Sequence, residues 1–346
     1  MPHRLISSLL FLVGTVLGMN TVVLGHAEEA SAPLNRYQVL ELLANGISSA
    51  RVSGLVQQRG IDFDASDVLL EVFQVAGGGE DLVQALQTAR VTKPTGTVRA
   101  KAAESAEEAK AAEQNLRDSL AKDRSNAGLH FALGYVCFTR RESDQALAEF
   151  LEVQRLKPRL AAPHVFAGQV QGIKKDFDAA QKEFHTALGL QPDDVWAHIY
   201  LALTLNLKGD KPGALQVMRE AVRLKPDNAD AHLRLGDELR VNNQAPEALA
   251  EFRKAASLRK DWYLPHLELG RNLEKTQDFE HAMVEYRIAE RLKPDVPLVH
   301  QRLGALEEKK GNRRAALEEY RRAREAAPDN PLFNKDYNRL ARQTGQ

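Results

Sequence analysis

The sequence predicts an all-α solenoid, in which pairs of helices repeat along the chain and stack on one another. Alanine recurs at a constant spacing of about 34 residues from Ala146 to Ala316. Proline recurs with the same spacing from Pro158 to Pro328, except that Lys260 stands at one of these positions. Aromatic residues make up only 6% of the 346 residues, and strong helix formers such as alanine and leucine are abundant. This composition favours helices packed on helices over sheets.

Charge and cysteine content exclude several classes of protein. Lys and Arg number 47 and Asp and Glu number 47, so the chain lacks the overall positive charge typical of nucleic-acid-binding proteins. Cys137 is the only cysteine, which excludes an intrachain disulfide and a site of several cysteines. Walker-type phosphate loops, zinc-protease helices and G-x-S-x-G motifs are absent from the sequence. We therefore predict no catalytic residue, cofactor, metal site, nucleic-acid partner or small-molecule substrate.

The first 27 residues have the pattern of a secretory signal peptide. Arg4 precedes an uncharged, mainly apolar run from Leu5 to Gly25, and Gly25 and Ala27 are small residues at the two positions that a signal peptidase reads. We expect cleavage after Ala27 and export of residues 28–346 to the periplasm or out of the cell. The run is about 21 residues long, so the alternative is an uncleaved N-terminal anchor, which would be the only link to a membrane.

Residues 34–92 predict a small acidic module of four short helices. Residues 28–92 contain nine acidic and four basic side chains. Gly46, Gly60 and the glycines at 77–79 mark the breaks between the predicted helices. Residues 93–126 then predict a linker and an alanine-rich leading helix. Ala112 and Leu116 of that helix keep the phase of the repeats, so we expect it to stack as a half-repeat.

Six repeats fill residues 127–330. Within a repeat, a small residue such as Gly134 lies in the first helix, and Ala146 and Phe150 lie four residues apart on one face of the second. Residues 331–346 predict a closing helix that caps the stack. The predicted repeats are 127–160, 161–194, 195–228, 229–262, 263–296 and 297–330.

This pattern resembles the tetratricopeptide repeat, a helix–turn–helix of about 34 residues, and suggests a bacterial, exported member of that family. The resemblance implies a superhelix whose concave groove, lined by the first helix of each repeat, binds a protein or peptide. The groove would be apolar and aromatic in its first half and charged in its second half. The groove positions implied by the resemblance are Phe131, Tyr135, Phe138, Val165, Gln169, Ile173, Trp196, Ile199, Leu203, Asn206, Asp237, Arg240, Arg271, Glu274, Gln301 and Glu308.

A ladder of histidines follows the spacing of the repeats. Its members are His130, His164, His198, His232, His266 and His300. Metal ligands must converge on one ion, whereas packed helices lie about 8–10 Å apart, so neighbouring histidines of the ladder do not share a metal. We predict that these rings pack between helices with one polar edge hydrogen-bonded. The alternative is a pH-sensitive contact, because imidazole titrates near neutrality.

These observations predict an exported scaffold, not an enzyme, that binds a protein or peptide in its groove and assists assembly of an envelope complex. The alternative function is an accessory or regulatory subunit of an envelope enzyme of the glycosyl transferase or peptidase type. A further alternative concerns the groove itself: its apolar half could be covered by the chain's own leading helix or acidic module.

Overall fold

The structure of the chain, a computed structural model, describes residues 33–63, 67–89, 91 and 98–344. These residues form eighteen α-helices and no strand, with isolated bridges from Ile61 to Leu34 and to Val91. The predicted all-α class is confirmed. The described residues fall into two compact units, one ending at Phe166 and the other beginning at Ala167. The predicted signal peptide and the linker at 93–97 lie outside the described residues.

Four short helices form the N-terminal module: α1 (Arg36–Ala44), α2 (Ser49–Arg59), α3 (Asp67–Val75) and α4 (Glu80–Thr88). A capping box starts α1: the Asn35 side chain accepts a hydrogen bond from the Gln38 N–H at 2.9 Å, and the Gln38 side-chain oxygen accepts one from the Asn35 N–H at 3.1 Å. The apolar side chains of all four helices meet in one core. Its fully buried members include Val39, Leu40, Val52, Val56, Phe73 and Leu82.

The leading helix is α5 (Val98–Lys122). Ala109, Ala112, Leu116 and Leu120 are buried at spacings of three and four residues, which makes one apolar stripe along the helix. Helix α5 packs against α1 of the module. None of the described helices combines the length and apolar character that a membrane-spanning helix needs.

Six helix pairs follow α5. They are α6 (Ala127–Thr139) and α7 (Ser143–Leu156), α8 (Ala162–Ile173) and α9 (Phe177–Leu190), α10 (Val195–Leu207) and α11 (Lys211–Leu224), α12 (Ala229–Val241) and α13 (Ala245–Leu258), α14 (Tyr263–Lys275) and α15 (Phe279–Leu292), and α16 (Pro297–Lys309) and α17 (Arg313–Ala326). Each second helix has 14 residues. The predicted residue limits of the module, leading helix and repeats stay predictions of domain organisation.

Each pair is held by a ring or other bulky side chain of the second helix lying against a small residue of the first. A Cβ atom added to Gly236 would lie 2.5 Å from the ring of Phe252, and one added to Gly270 would lie 2.4 Å from the ring of Tyr286. Glycine is therefore required at these positions for the two helices to approach. Phe252 and Tyr286 are themselves fully buried.

The last helix, α18 (Pro331–Thr344), covers the end of the second compact unit. Leu340 and Ala341 are buried in a cluster with Ala316, Leu317 and Tyr320. A bidentate ion pair joins Arg339 of α18 to Glu308 of α16, with N···O distances of 2.6 and 2.7 Å. Without α18, this cluster would lose its outer layer.

The turn inside every repeat places one residue in the left-handed region, two positions after the first helix. The residue is glycine in two repeats only, Gly209 and Gly311; the other four are Arg141, Lys175, Asn243 and Gln277, with φ of 61–64°. The next N–H then donates to the carbonyl five residues earlier, as Asp176 does to Gln171 at 2.9 Å. This bond is the signature of a Schellman motif. The backbone conformation thus repeats more faithfully than the residue type.

Exchange of residue types at this turn should change stability in opposite directions. Lys175→Gly should raise the free energy of unfolding by about 0.5–1 kcal/mol, because glycine avoids the steric cost of positive φ. Gly209→Ala should lower it by about 1 kcal/mol for the same reason. Urea unfolding followed by circular dichroism measures both. A Lys175→Gly protein destabilised as much as Gly209→Ala would contradict the assignment.

Candidate functional site

The predicted site residues lie on the first helices α6, α8, α10, α12, α14 and α16. They differ widely in burial. Phe131, Tyr135, Val165 and Ile199 are buried, whereas Ile173 and Leu203 are exposed. The remaining predicted residues are half-buried: Phe138, Gln169, Trp196, Asn206, Asp237, Arg240, Arg271, Glu274, Gln301 and Glu308.

In the first compact unit, the predicted aromatic residues gather around Phe166 of α8. The Phe166 ring meets Phe131, Tyr135 and Phe138 edge-on, with centroid distances of 5.5, 6.0 and 5.9 Å. It stacks on Phe150 at 5.4 Å. Phe131 has no exposed surface, so in this structure it is a core residue with nothing to offer a partner. These rings join the first two repeats instead.

The N-terminal module covers the first repeat. Helix α1 contacts α6, and the Tyr37 hydroxyl is 3.4 Å from the Thr139 hydroxyl at the C-terminal end of α6. At the other end of α6, a Cβ atom on Gly128 would lie 3.7 Å from the Ala76 carbonyl oxygen. Tyr37 and Tyr135 are both buried. The chain's own module therefore covers part of α6, the first helix of the first repeat.

The second compact unit presents a different surface. Four aliphatic residues, which we name the apolar row, are exposed there: Ile173 by 61%, Leu203 by 52%, Leu207 by 58% and Val241 by 40%. Ile173, Leu207 and Val241 are the last residues of α8, α10 and α12 and are evenly spaced in the sequence. Sequence reasoning included Ile173 and Leu203 but missed the other two. The recurrence of a branched aliphatic residue at this position of three repeats is the signal that would have found them.

Other predicted residues of α10 have partners inside the second compact unit. The Trp196 ring lies 6.1 Å from the Tyr200 ring, and Ile199 is 8% exposed. The Asn206 amide donates to both carboxylate oxygens of Glu238 in α12, at 2.7 and 2.8 Å. Asn206 thus ties two neighbouring first helices together.

The charged half of the predicted groove is largely neutralised internally. Arg240 donates to Asp237 at 3.0 Å and lies 3.8 Å from Glu268 of α14. Arg271 donates to the same Glu268 at 2.7 Å. Burial raises the pKa of Glu268, and the two guanidinium groups oppose that shift. These charges therefore bind one another first and offer a partner little net charge.

Glu274 has a structural role that the sequence analysis did not foresee. It accepts a hydrogen bond from the hydroxyl of Tyr286, the buried ring of the same repeat. The next repeat has the same arrangement, in which the Tyr320 hydroxyl donates to Glu308 at 3.0 Å. Burial and the neighbouring carboxylate raise the pKa of each tyrosine. A buried hydroxyl needs a partner, and the glutamate near the end of the preceding first helix supplies it.

Comparison with known families now identifies the repeats. The model of the family described as Tetratricopeptide repeat matches residues 97–161, 174–229 and 208–265. The matched segments of the chain are tetratricopeptide repeats. No curated protein matches it. The predicted family and helical-solenoid fold are confirmed, and this fold supports a role in protein interaction.

Two solved structures similar to this chain agree with the assignment of the fold. A tetratricopeptide repeat protein from Parabacteroides merdae is 12% identical, with a TM-score of 0.54, over 67% of this chain and 92% of that one. PilF of Pseudomonas aeruginosa is 17% identical, with a TM-score of 0.52, over 64% of this chain and 99% of that one. Identities this low show the fold alone.

In these repeats, four of the ladder histidines contact the second helix of their own pair. A glutamate 19 residues later lies 2.6–2.9 Å from the histidine Nδ1. The pairs are His130–Glu149, His232–Glu251, His266–Glu285 and His300–Glu319. His198 differs because Val217 stands at the glutamate position, and its Nδ1 bonds to the Asp194 carbonyl at 2.8 Å. These glutamates recur with the same spacing as the histidines, a signal that sequence reasoning overlooked.

Arginines occupy the two clusters of potential metal ligands found among the described residues. In the cluster of Glu290, His300 and Glu319, Arg287 donates to both carboxylates, at 2.9 and 2.6 Å. The other cluster comprises Glu113, Cys137 and Glu142, and Arg140 pairs with both of its carboxylates. The guanidinium groups supply the positive charge, so both are ion-pair networks.

The thiol of Cys137 is poorly suited to nucleophilic chemistry. It is fully buried in α6, and burial raises its pKa to about 11. The reactive form of cysteine is the thiolate, which such a pKa disfavours at neutral pH. Cys137 serves as a small apolar core residue.

Phe166 should be the residue on which the first two repeats depend most. Phe166→Ala should lower the free energy of unfolding by about 3–5 kcal/mol, because it removes four ring contacts and leaves a cavity. Ile173→Ala on the same helix is the control, and should change it by less than about 0.5 kcal/mol because Ile173 is exposed. Equal effects of the two substitutions in urea unfolding would contradict the central role of Phe166.

Proposed function

We propose that the chain is an exported bacterial scaffold that binds a protein or peptide on the groove side of its repeats and assists assembly of an envelope complex. The family fold supports an interaction role, and the apolar, uncharged segment before Ala27 supports export. The apolar row in the second compact unit is the observation that carries the binding proposal. Exposed aliphatic side chains that recur at one position of successive repeats favour an interaction surface.

The partner contact is placed on the second compact unit for two reasons. In the first repeat, α1 already lies along α6, and Phe131 is fully buried. In the second unit, Leu203 and Leu207 lie one turn apart on α10 and keep about half of their surface exposed. A partner that presents an apolar segment would bury both side chains at once, which stabilises the complex by removing apolar surface from water.

Paired charges at the edge of this surface favour an apolar segment over a strongly charged one. Lys208, next to Leu207, donates to Asp178 at 2.6 Å and to Gln181 at 2.8 Å. Arg240, beside Val241, is paired with Asp237. A charged partner would have to break these ion pairs, whereas an aliphatic or aromatic side chain can lie against the row without doing so.

Substitution in the apolar row should remove partner binding without unfolding the protein. The test is affinity capture from an envelope fraction with the chain from Glu28 onward, comparing wild type with the double variant Leu203→Ser, Leu207→Ser. Each truncation at a binding hot spot costs about 2 kcal/mol, so the loss in affinity should be tenfold or more, with Tm unchanged. Val284→Ser is the matched control, because Val284 is 55% exposed but lies on the second helix α15.

The outcome of the capture also separates the two candidate functions. A structural complex bound by wild type and by Val284→Ser but lost from the double variant would support assembly. A glycosyl transferase or peptidase captured in the same pattern would favour the accessory-subunit function. Equal capture by all three proteins would reject the apolar row as the binding surface.

Export makes a separate prediction. We expect the exported protein to begin at Glu28, because Gly25 and Ala27 are small residues at the positions that a signal peptidase reads. N-terminal sequencing of the protein from the periplasm or medium measures this. Recovery of the chain with Met1–Ala27 intact in the membrane fraction would support the anchor instead.

A further inference from the structure

His300 lies between two groups that can only accept hydrogen bonds. Its Nδ1 is 2.9 Å from a carboxylate oxygen of Glu319, and its Nε2 is 2.7 Å from the carbonyl oxygen of Pro294. A neutral imidazole has one N–H and can satisfy only one of these acceptors. His300 and Glu319 are both only 4% exposed, so water has little access to donate a hydrogen bond to the second acceptor. Both contacts become hydrogen bonds when the ring is an imidazolium.

The charged groups around the ring come from three helices. Glu319 belongs to α17, and Glu290 of α15 lies 3.9 Å from the His300 Nδ1. Arg287 of α15 donates to both carboxylates and lies 3.7 Å from Glu307 of α16. Arg322 of α17 also donates to Glu290, at 3.2 Å. Arg322 also lies 3.4 Å from Glu318, so the carboxylates of this network outnumber its guanidinium groups and leave negative charge for an imidazolium to balance.

The pKa shifts agree with this geometry. The hydrogen bond with Glu319 raises the pKa of His300, although burial opposes the shift. Burial raises the pKa of Glu319, but the hydrogen bonds from His300 and Arg287 outweigh it and hold that pKa below its usual value. Both shifts favour an imidazolium paired with a carboxylate.

We propose that a proton bound by His300 acts as a latch that fastens α15, α16 and α17, so that the last two repeats hold together more firmly in acid than in alkali. The proton lets one ring bond to the α15–α16 turn through Pro294 and to α17 through Glu319. Its loss leaves a buried carboxylate and a carbonyl competing for one N–H. This latch does not depend on the identity of any binding partner.

The stabilisation has a defined pH range. Because the folded-state pKa of His300 is raised, the stabilisation is fully present below the ordinary histidine value of 6.5 and is lost as the pH rises through the folded-state value. Because the folded-state pKa of Glu319 is lowered, stabilisation from the carboxylate is present above the ordinary value of 4.5 and is lost as the pH falls through its folded-state value. The latch is therefore strongest between these two ordinary values.

The histidine ladder supplies the matched control. His198 bonds through Nδ1 to the carbonyl of Asp194, and Val217 replaces the glutamate of the other repeats. The acidic groups near His198 are Asp193, Asp194 and Glu220. His198 therefore has no glutamate at the place that Glu319 holds beside His300, so His198→Gln removes a packed imidazole and leaves the contacts of His300 in place.

Thermal unfolding of the whole chain between pH 6 and pH 9 tests the proposal. Wild type and His198→Gln should lose Tm by the same amount as the pH rises. The Tm of His300→Gln should fall less over this pH range, because glutamine has no proton to lose at this position. Glu319→Gln should also flatten the profile, since a glutamine amide can donate to the neutral ring. Parallel profiles for His300→Gln and His198→Gln would overturn the latch.

Nitrogen-15 NMR of the imidazole groups in the wild-type chain gives a readout that needs no variant to fold. Because the pKa of His300 is raised above the ordinary value of 6.5, we expect both of its nitrogens to carry hydrogen in most molecules at pH 6.5. A spectrum at that pH in which most of the His300 rings are neutral would overturn the proposal. A second result would also overturn it: stoichiometric Zn²⁺ that raises the Tm of wild type but not of His300→Gln. The cluster around His300 would then bind a metal ion in place of the proton.

Discussion

The contact between a small residue of one helix and a bulky side chain of the next sets the geometry of every repeat. Where the small residue is glycine, as at Gly236 and Gly270, an aromatic ring fills the space that a Cβ atom would occupy. Ridges and grooves on two helices interlock only at certain angles and distances, so this close approach fixes how the pair is oriented. The orientation in turn decides which positions of the first helix are buried and which reach the surface.

Polar residues on the first helices serve the stack as much as the surface. Glu274 receives the hydroxyl of Tyr286, and Asn206 joins α10 to α12 through Glu238. The surface of the first helices therefore carries polar side chains bound to another helix as well as the aliphatic residues of the apolar row, which have no polar group to satisfy. Because the charged side chains pair with one another, the half of the predicted groove that is rich in charged residues carries little net charge.

The repeat pattern in the sequence was enough to predict the helix pairs, because the constant spacing reflects local packing within each repeat. Burial of the candidate site was harder to predict, since it depends on residues far apart in sequence. Nothing near Phe131 in the chain indicates that Phe166 covers it, and nothing near Thr139 indicates the approach of Tyr37. The left-handed turn at Lys175 was also hidden, because lysine does not reveal the positive φ that glycine suggests.

The contact of α1 with α6 has a consequence for the newly made chain. Tyr37 and Thr139 are 102 residues apart. A ribosome that adds about 5–20 residues per second therefore synthesises Thr139 about 5–20 s after Tyr37. Throughout that interval Tyr37 has been synthesised but the helix α6 that it contacts has not. The four helices of the module can form their own core in that time, whereas the side of α1 that meets α6 stays exposed until the first repeat is made.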